Sequence, residues 1–184
     1  MKEVEILVEV KSSKEEVLKI LEKFNFVGEK EVLDIYFYNE NNEKLKPING
    51  ELKECFRLRK KDGKNYITYK IDHFKDGKWV YSDEEETKVD DFEIMLKIVS
   101  QLGFKPLVEI DNIKHTFLTD KYEIVLEEVK NLGLFLEVER LVVGDNEDVH
   151  VVKEEIFDFI KSLNINVGEE STAGKPELML RKKI

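Results

Sequence analysis

Residues 2–11, Lys-Glu-Val-Glu-Ile-Leu-Val-Glu-Val-Lys, carry an aliphatic side chain at every even position from Val4 to Val10. Every odd position from Glu3 to Lys11 except Leu7 is charged. A period of two belongs to a β-strand with one apolar and one ionic face, so the fold must cover one side of a sheet and find a use for charge on the other. On the ionic face Glu3 and Glu5 stand next but one to each other, roughly 7 Å apart at a rise of ~3.3 Å per residue. Two carboxylates at that spacing can grip one divalent cation. A sheet that turns its charges to water explains a single such strand equally well. Recurrence weighs against that: Arg57-Leu58-Arg59 and Glu137-Val138-Glu139 repeat the pattern, and Glu84-Glu85-Glu86 repeats it without the apolar middle. Acids and bases on separate strands suit a polyanion held through metal ions.

The rest of the chain supplies the partners. Ser13-Lys14-Glu15-Glu16 reads as a capping box opening a helix to about Phe24. A strand follows over 27–38. Three more, about 53–61, 64–74 and 78–88, are separated by Asp62-Gly63 and Asp76-Gly77, the strongest short hairpin signal, and so form an antiparallel meander. Asp90-Asp91 starts a second helix that Gly103 ends. Strands over 105–118, 121–130 and 134–143 lead to a third helix over 149–163, and Pro176 marks the first turn of a short terminal helix. Eight strands joined by short turns suffice to close a barrel. The expected fold is α+β, an eight-stranded antiparallel closed β-barrel with its ionic faces inward and its aliphatic faces outward onto flanking helices. With no Pro, Gly or Ser-rich linker, residues 1–184 read as a single domain.

Composition limits the partners. Forty acidic residues against thirty Lys and Arg give a net charge of −10, the wrong sign for a nucleic-acid binder. An anionic small molecule is still compatible with local bases or bound metal. The lone Cys55 forms no internal disulfide, which fits a reducing, cytoplasmic setting. No apolar run approaches the ~18 residues of a membrane span. A homodimer is compatible with such a chain. The three histidines, His73, His115 and His150, show no ligand spacing.

Glu3-Val4-Glu5, Arg57-Leu58-Arg59, Lys70, Glu84-x-Glu86 and the block Leu126-Glu-Glu-Val-Lys-Asn-Leu-Gly-Leu-Phe-Leu-Glu-Val-Glu139 follow one another over nearly the whole chain. In this it resembles the CYTH superfamily, the triphosphate tunnel metalloenzymes, which includes class IV adenylyl cyclases and thiamine and inorganic triphosphatases. The resemblance implies Mg²⁺ or Mn²⁺ held by Glu3, Glu5, Glu127, Glu137 and Glu139. It also implies a triphosphate (ATP, tripolyphosphate or thiamine triphosphate) held by Arg57, Arg59, Lys70 and Lys114, with Lys70 and Arg57 as catalytic contacts and Glu84 and Glu86 as further tunnel acids. The chemistry agrees: hard cations take carboxylate oxygens, and the guanidinium fork matches phosphate.

Three motifs depart from the family pattern. Leu7 replaces the lysine of ExExK, Asn112 and Lys114 replace Lys-x-Arg, and the Ser-Tyr before Glu-Leu-Leu is not reproduced in 171–178. The resemblance therefore implies class IV adenylyl cyclase activity, ATP to cyclic AMP and pyrophosphate, slowed by these losses. The alternatives are an inorganic or thiamine triphosphatase and a non-catalytic triphosphate or polyphosphate binder with a degenerate site. Leu7→Lys is expected to restore a phosphate contact without destabilising the chain. Arg57→Ala and Arg59→Ala are expected to weaken binding without unfolding it.

Overall fold

A computed structural model of the chain describes residues 2–75, 78–144 and 146–182. Its strands are β1 (Lys2–Glu3), β2 (Glu5–Val10), β3 (Asn25–Asn39), β4 (Glu54–Lys61), β5 (Lys64–Lys75), β6 (Lys78–Val89), β7 (Phe104–Leu118), β8 (Tyr122–Val129), β9 (Gly133–Arg140) and β10 (Val167–Glu170). The helices are α1 (Lys14–Leu21), α2 (Phe92–Gln101), α3 (Val149–Ser162) and α4 (Lys175–Lys182). Local chemistry explains most of the boundaries. Ser13 and Glu16 form the expected capping box, and the side chains of Asp91 and Asp148 cap α2 and α3. Asp62 and Gly63 take φ of 52° and 65°, the left-handed geometry that a two-residue hairpin needs. The Asp76-Gly77 turn lies outside the described residues.

The strands form one antiparallel sheet in the order β1-β6-β5-β4-β3-β7-β8-β9-β2-β10. The expected closed, eight-stranded barrel is thus corrected in two respects. Among the described residues the hydrogen-bonded order is open, and it counts ten strands, because the N-terminal strand is split at Val4 and Val167–Glu170 adds an edge strand on β2. That last segment, Val-Gly-Glu-Glu, has no alternation to announce it. The ends of the order are nevertheless linked by the chain. β1 pairs with β6 (Glu3 opposite Ser82), and one residue later β2 pairs with β9 (Glu5 opposite Glu139). The sheet curls accordingly: Lys70 Nζ on β5 lies 3.9 Å from Glu5 Oε1 on β2.

Apolar side chains gather in three clusters. Val4, Ile6, Val8 and Val10 pack outward with Leu126, Leu136 and Val138 against α1 (Val17, Leu21) and α3 (Val152, Ile156, Ile160). Phe37 and Leu58 pack against Phe92 and Val99 of α2. These two are the expected aliphatic faces covered by helices. The third cluster lies on the inner face, where Leu7, Tyr36, Cys55, Val108, Ile110, Val129 and Phe135 pack with Met179 of α4. An inner face lined by charge alone is therefore corrected: α4 occupies part of it and needs apolar side chains beneath it. No described helix is long and apolar enough to cross a membrane.

Candidate functional site

Strand alternation turns the ionic positions of β2 to β9 onto the inner face, where they form two linked groups. In the first, Arg57 donates from Nε to Thr68 Oγ1 (3.3 Å), from Nη1 to the Tyr36 hydroxyl (3.4 Å) and from Nη2 to Glu84 Oε1 (3.3 Å). Glu86 accepts from Thr68 Oγ1 at 2.9 Å and lies 3.7 Å from the same guanidinium. Arg59 grips Asp34 with both arms, Nε to Oδ1 at 2.6 Å and Nη2 to Oδ2 at 2.8 Å. Burial alone would raise the Asp34 pKa, but Arg59 beside it holds the carboxyl down to about 2. Burial pushes the Tyr36 hydroxyl up to about 12, so it stays a neutral hydrogen-bonding group. Lys70 sits between Glu5 (3.9 Å) and Glu84 (3.8 Å).

In the second group Glu127 has no exposed surface. It is surrounded by donors: Lys114 Nζ at 2.8 Å, Lys175 Nζ at 2.8 Å and Asn112 Nδ2 at 3.0 Å. Lys175 also pairs with Glu137. Burial opposes the charge on both members of that pair; even so, Lys175 and Lys114 hold the Glu137 carboxyl well below the usual range, and Glu127 and Glu137 hold the Lys175 ammonium well above its own. Beside this group runs a row of acids in register on three strands, Glu5 opposite Glu139 and Glu139 opposite Glu123. All three are half-buried. Like charges directly opposite each other repel, so the row is stable only with cations close by.

Arg57, Arg59, Lys70, Lys114, Glu5, Glu84, Glu86, Glu127 and Glu137 thus share one face; ion pairs join Arg57, Lys70, Glu5, Glu84 and Glu86 in one group and Lys114, Lys175, Glu127 and Glu137 in another, while Arg59 pairs with Asp34. Glu139 joins them by strand register. The side chain of Glu3 lies outside the described residues. Among the described residues, Glu5 stands opposite Glu139, and Glu137 lies two residues along the same strand. Among the described residues, the trio of ligating side chains with all atoms within 4.8 Å is Cys55, Asp72 and Glu177. Two further expectations need correction. Leu7, opposite Glu137, is 9 % exposed and packed in the inner apolar cluster rather than standing as a vacant phosphate position. Arg59 is the counterion of a buried aspartate, so its removal must cost stability.

The sequence reading missed Asp34, Glu123 and Lys175. Glu123 shares a strand face with Glu127, a signal present in the alternation. Lys175 comes from the first turn of α4, 48 residues beyond Glu127, with no periodicity to mark it. It brings to Glu137 the ammonium that Leu7 cannot supply. Asn112, in place of a family cation, donates to Glu127 instead.

Fold and site together define an α+β protein whose curled antiparallel sheet concentrates carboxylates, guanidiniums and ammoniums on its inner face. Residues 1–173 match the CYTH domain, and the chain belongs to that family. It is 34 % identical over 171 residues to a candidate adenylate cyclase of Methanocaldococcus jannaschii, covering 90 % of this chain and 91 % of that one. A Pyrococcus horikoshii protein of known structure superimposes with a TM-score of 0.81 at 22 % identity, over 98 % of this chain and 99 % of its own. A candidate adenylyl cyclase from Hippeastrum, described as having a dominant triphosphatase activity, superimposes with a TM-score of 0.68 at 18 % identity, over 99 % and 97 % of the two chains.

Proposed function

We propose that this chain is a cytoplasmic metal-dependent enzyme that processes a small-molecule triphosphate on the inner face of its sheet, one CYTH-like domain over residues 1–184. The observation that carries the proposal is the in-register row Glu5, Glu139 and Glu123 beside Arg57, Arg59, Lys70, Lys114 and Lys175. Acids outnumber bases on this face, so a polyanion is repelled unless divalent cations enter with it. The row offers hard carboxylate oxygens, the donor set that Mg²⁺ or Mn²⁺ prefers, and Glu5, Glu137 and Glu139 would hold the ion with Glu123. When bound, it supplies neutralisation of phosphate charge.

The side chains of this chain do the rest. Arg57 and Lys70 are proposed to grip the phosphate oxygens on which charge develops, and Arg59 and Lys114 to fix the remainder of the triphosphate. The acid partners already in place, Glu84, Asp34 and Glu127, hold these long side chains in one geometry and so lower the entropy cost of positioning them. Lys175, from α4, adds a fifth cation and offsets the loss at Leu7.

The nominal reaction is that of a class IV adenylyl cyclase. The ribose 3′-oxygen bonds to the α-phosphorus, the α–β bridging bond breaks, pyrophosphate leaves and the hydroxyl proton passes to water. The curated relative named as a candidate adenylate cyclase supports this reading. The alternative, water attacking the terminal phosphorus, is supported by the activity described for the Hippeastrum protein. Incubation with Mg²⁺ or Mn²⁺ and ATP, then with tripolyphosphate, separates them. Cyclic AMP with pyrophosphate supports the cyclase, and orthophosphate from both substrates supports the triphosphatase. Turnover of neither would overturn the enzymatic reading and leave a binding protein.

A further inference from the structure

Cys55, Asp72 and Glu177 come from three different elements, β4, β5 and the first turn of α4, yet each places a potential ligand atom within 4.8 Å of the other two. Cys55 is 8 % exposed and Glu177 is 5 % exposed. A glutamate in the first turn of a helix ordinarily points to water, where the helix dipole favours it. Here the side chain is buried and folds back towards Gly174, and its Oε2 has no hydrogen-bond partner. Such a group is expensive to hold unless a ligand completes it. Asp72 is oriented for the same point by Ser82, whose hydroxyl donates to Oδ1 at 2.5 Å.

We propose that Cys55, Asp72 and Glu177 form a binding site for a borderline transition-metal ion of the Zn²⁺ class, which staples α4 to β4 and β5. One thiolate with two carboxylates suits Zn²⁺ or Co²⁺ and is foreign to Mg²⁺, which takes oxygen ligands. Ligand atoms around tetrahedral Zn²⁺ stand roughly 3.5 Å apart, given bonds of about 2.0–2.3 Å. A small turn of the side chains closes the observed spacing, and water takes the fourth position. The metal–sulfur bond forms as the thiol proton leaves to water. Held in this way, α4 also fixes Lys175, two residues before Glu177, on Glu127 and Glu137.

The chain has a single cysteine, so a thiolate-to-metal absorption band reports this site alone. Co²⁺ is titrated into the purified protein in excess Mg²⁺, which saturates oxygen-only sites. The expected result is a charge-transfer band that saturates at one equivalent and is displaced by Zn²⁺. Cys55→Ser should remove the band. Glu177→Gln and Asp72→Asn should each weaken Co²⁺ at least tenfold, with circular dichroism confirming that each variant is folded. No band in the parent overturns the proposal, as do Glu177→Gln and Asp72→Asn proteins that bind Co²⁺ like the parent. Mg²⁺-dependent turnover of tripolyphosphate, assayed separately, tests the triphosphate reading whatever Co²⁺ does.

Discussion

Replacing Arg59 by Met removes both donors from Asp34, a carboxylate only 3 % exposed. Holding that carboxyl at about 2 rather than 3.8 corresponds to about 2.5 kcal/mol of native-state stabilisation. Stranding a buried charge by deleting its partner costs ~3–5 kcal/mol. Arg57 and Lys114 still favour the charged Asp34, so the loss should fall near the lower end, about 3 kcal/mol. In a chain of this size that lowers Tm by roughly 6–12 °C. The sign with pH follows from the depressed pKa. In the parent the contribution is complete above about pH 4 and disappears as pH falls through about 2. In Arg59→Met burial is less strongly opposed, so Asp34 takes up its proton at a higher pH and the gap between variant and parent narrows on acidification. Urea unfolding followed by circular dichroism at pH 7 and pH 3 reads both effects. Asp34→Asn added to Arg59→Met should recover most of the loss. A single variant within 1 kcal/mol of the parent at pH 7, or a double variant no more stable than Arg59→Met, would refute the dependence of Asp34 on its guanidinium.

Mg²⁺ or Mn²⁺ should raise the melting temperature of the parent, and Glu5→Gln with Glu139→Gln should abolish the rise; an undiminished rise would mean that the ion binds elsewhere. Lys175→Met leaves Glu137 with less compensation and should destabilise the chain by ~2–4 kcal/mol in calorimetry, while increasing the stabilisation obtained from Mg²⁺. An unchanged melting temperature would contradict the compensation of Glu137 by Lys175. Leu7→Lys should destabilise by ~2–3 kcal/mol rather than restore a phosphate contact, because the new amine enters the cluster of Tyr36, Phe135 and Met179. Arg57→Ala should weaken tripolyphosphate binding by ~1.5–3 kcal/mol in isothermal titration, and equal binding would remove Arg57 from the phosphate contacts.

How far the sequence could be read depended on how local the determining physics was. The β4–β6 meander and the α1 cap were legible because Asp62-Gly63 and the Ser13 to Glu16 box specify their geometry within four residues. Side-chain alternation put Arg57, Arg59, Lys70, Glu84, Glu137 and Glu139 on one face, since strand parity cannot be evaded once one face is covered. Which of these charges faces which partner was not legible. Asp34 and Arg59 are 25 residues apart, and Lys175 is 48 residues from Glu127; the choice among thirty Lys and Arg residues belongs to tertiary packing. Leu7 was misread for a related reason. Parity gives its direction, but only the docking of α4 decides whether that direction is wet or apolar.

The split N-terminal strand has a consequence for synthesis. Residues 2–10 are made before every segment they pair with, namely Ser82 and Asp83, Phe135 to Glu139, and Val167 to Glu170. At ~5–20 residues per second, Glu5 waits roughly 7–27 s before Glu139 has been made. Throughout that interval an aliphatic strand, Val4 to Val10, is exposed with both edges unpaired, a template for another nascent chain. Its charged residues, Glu3, Glu5, Glu9 and Lys11, are well placed to discourage such pairing. The ionic face proposed to serve catalysis thus also guards the strand that has to wait longest.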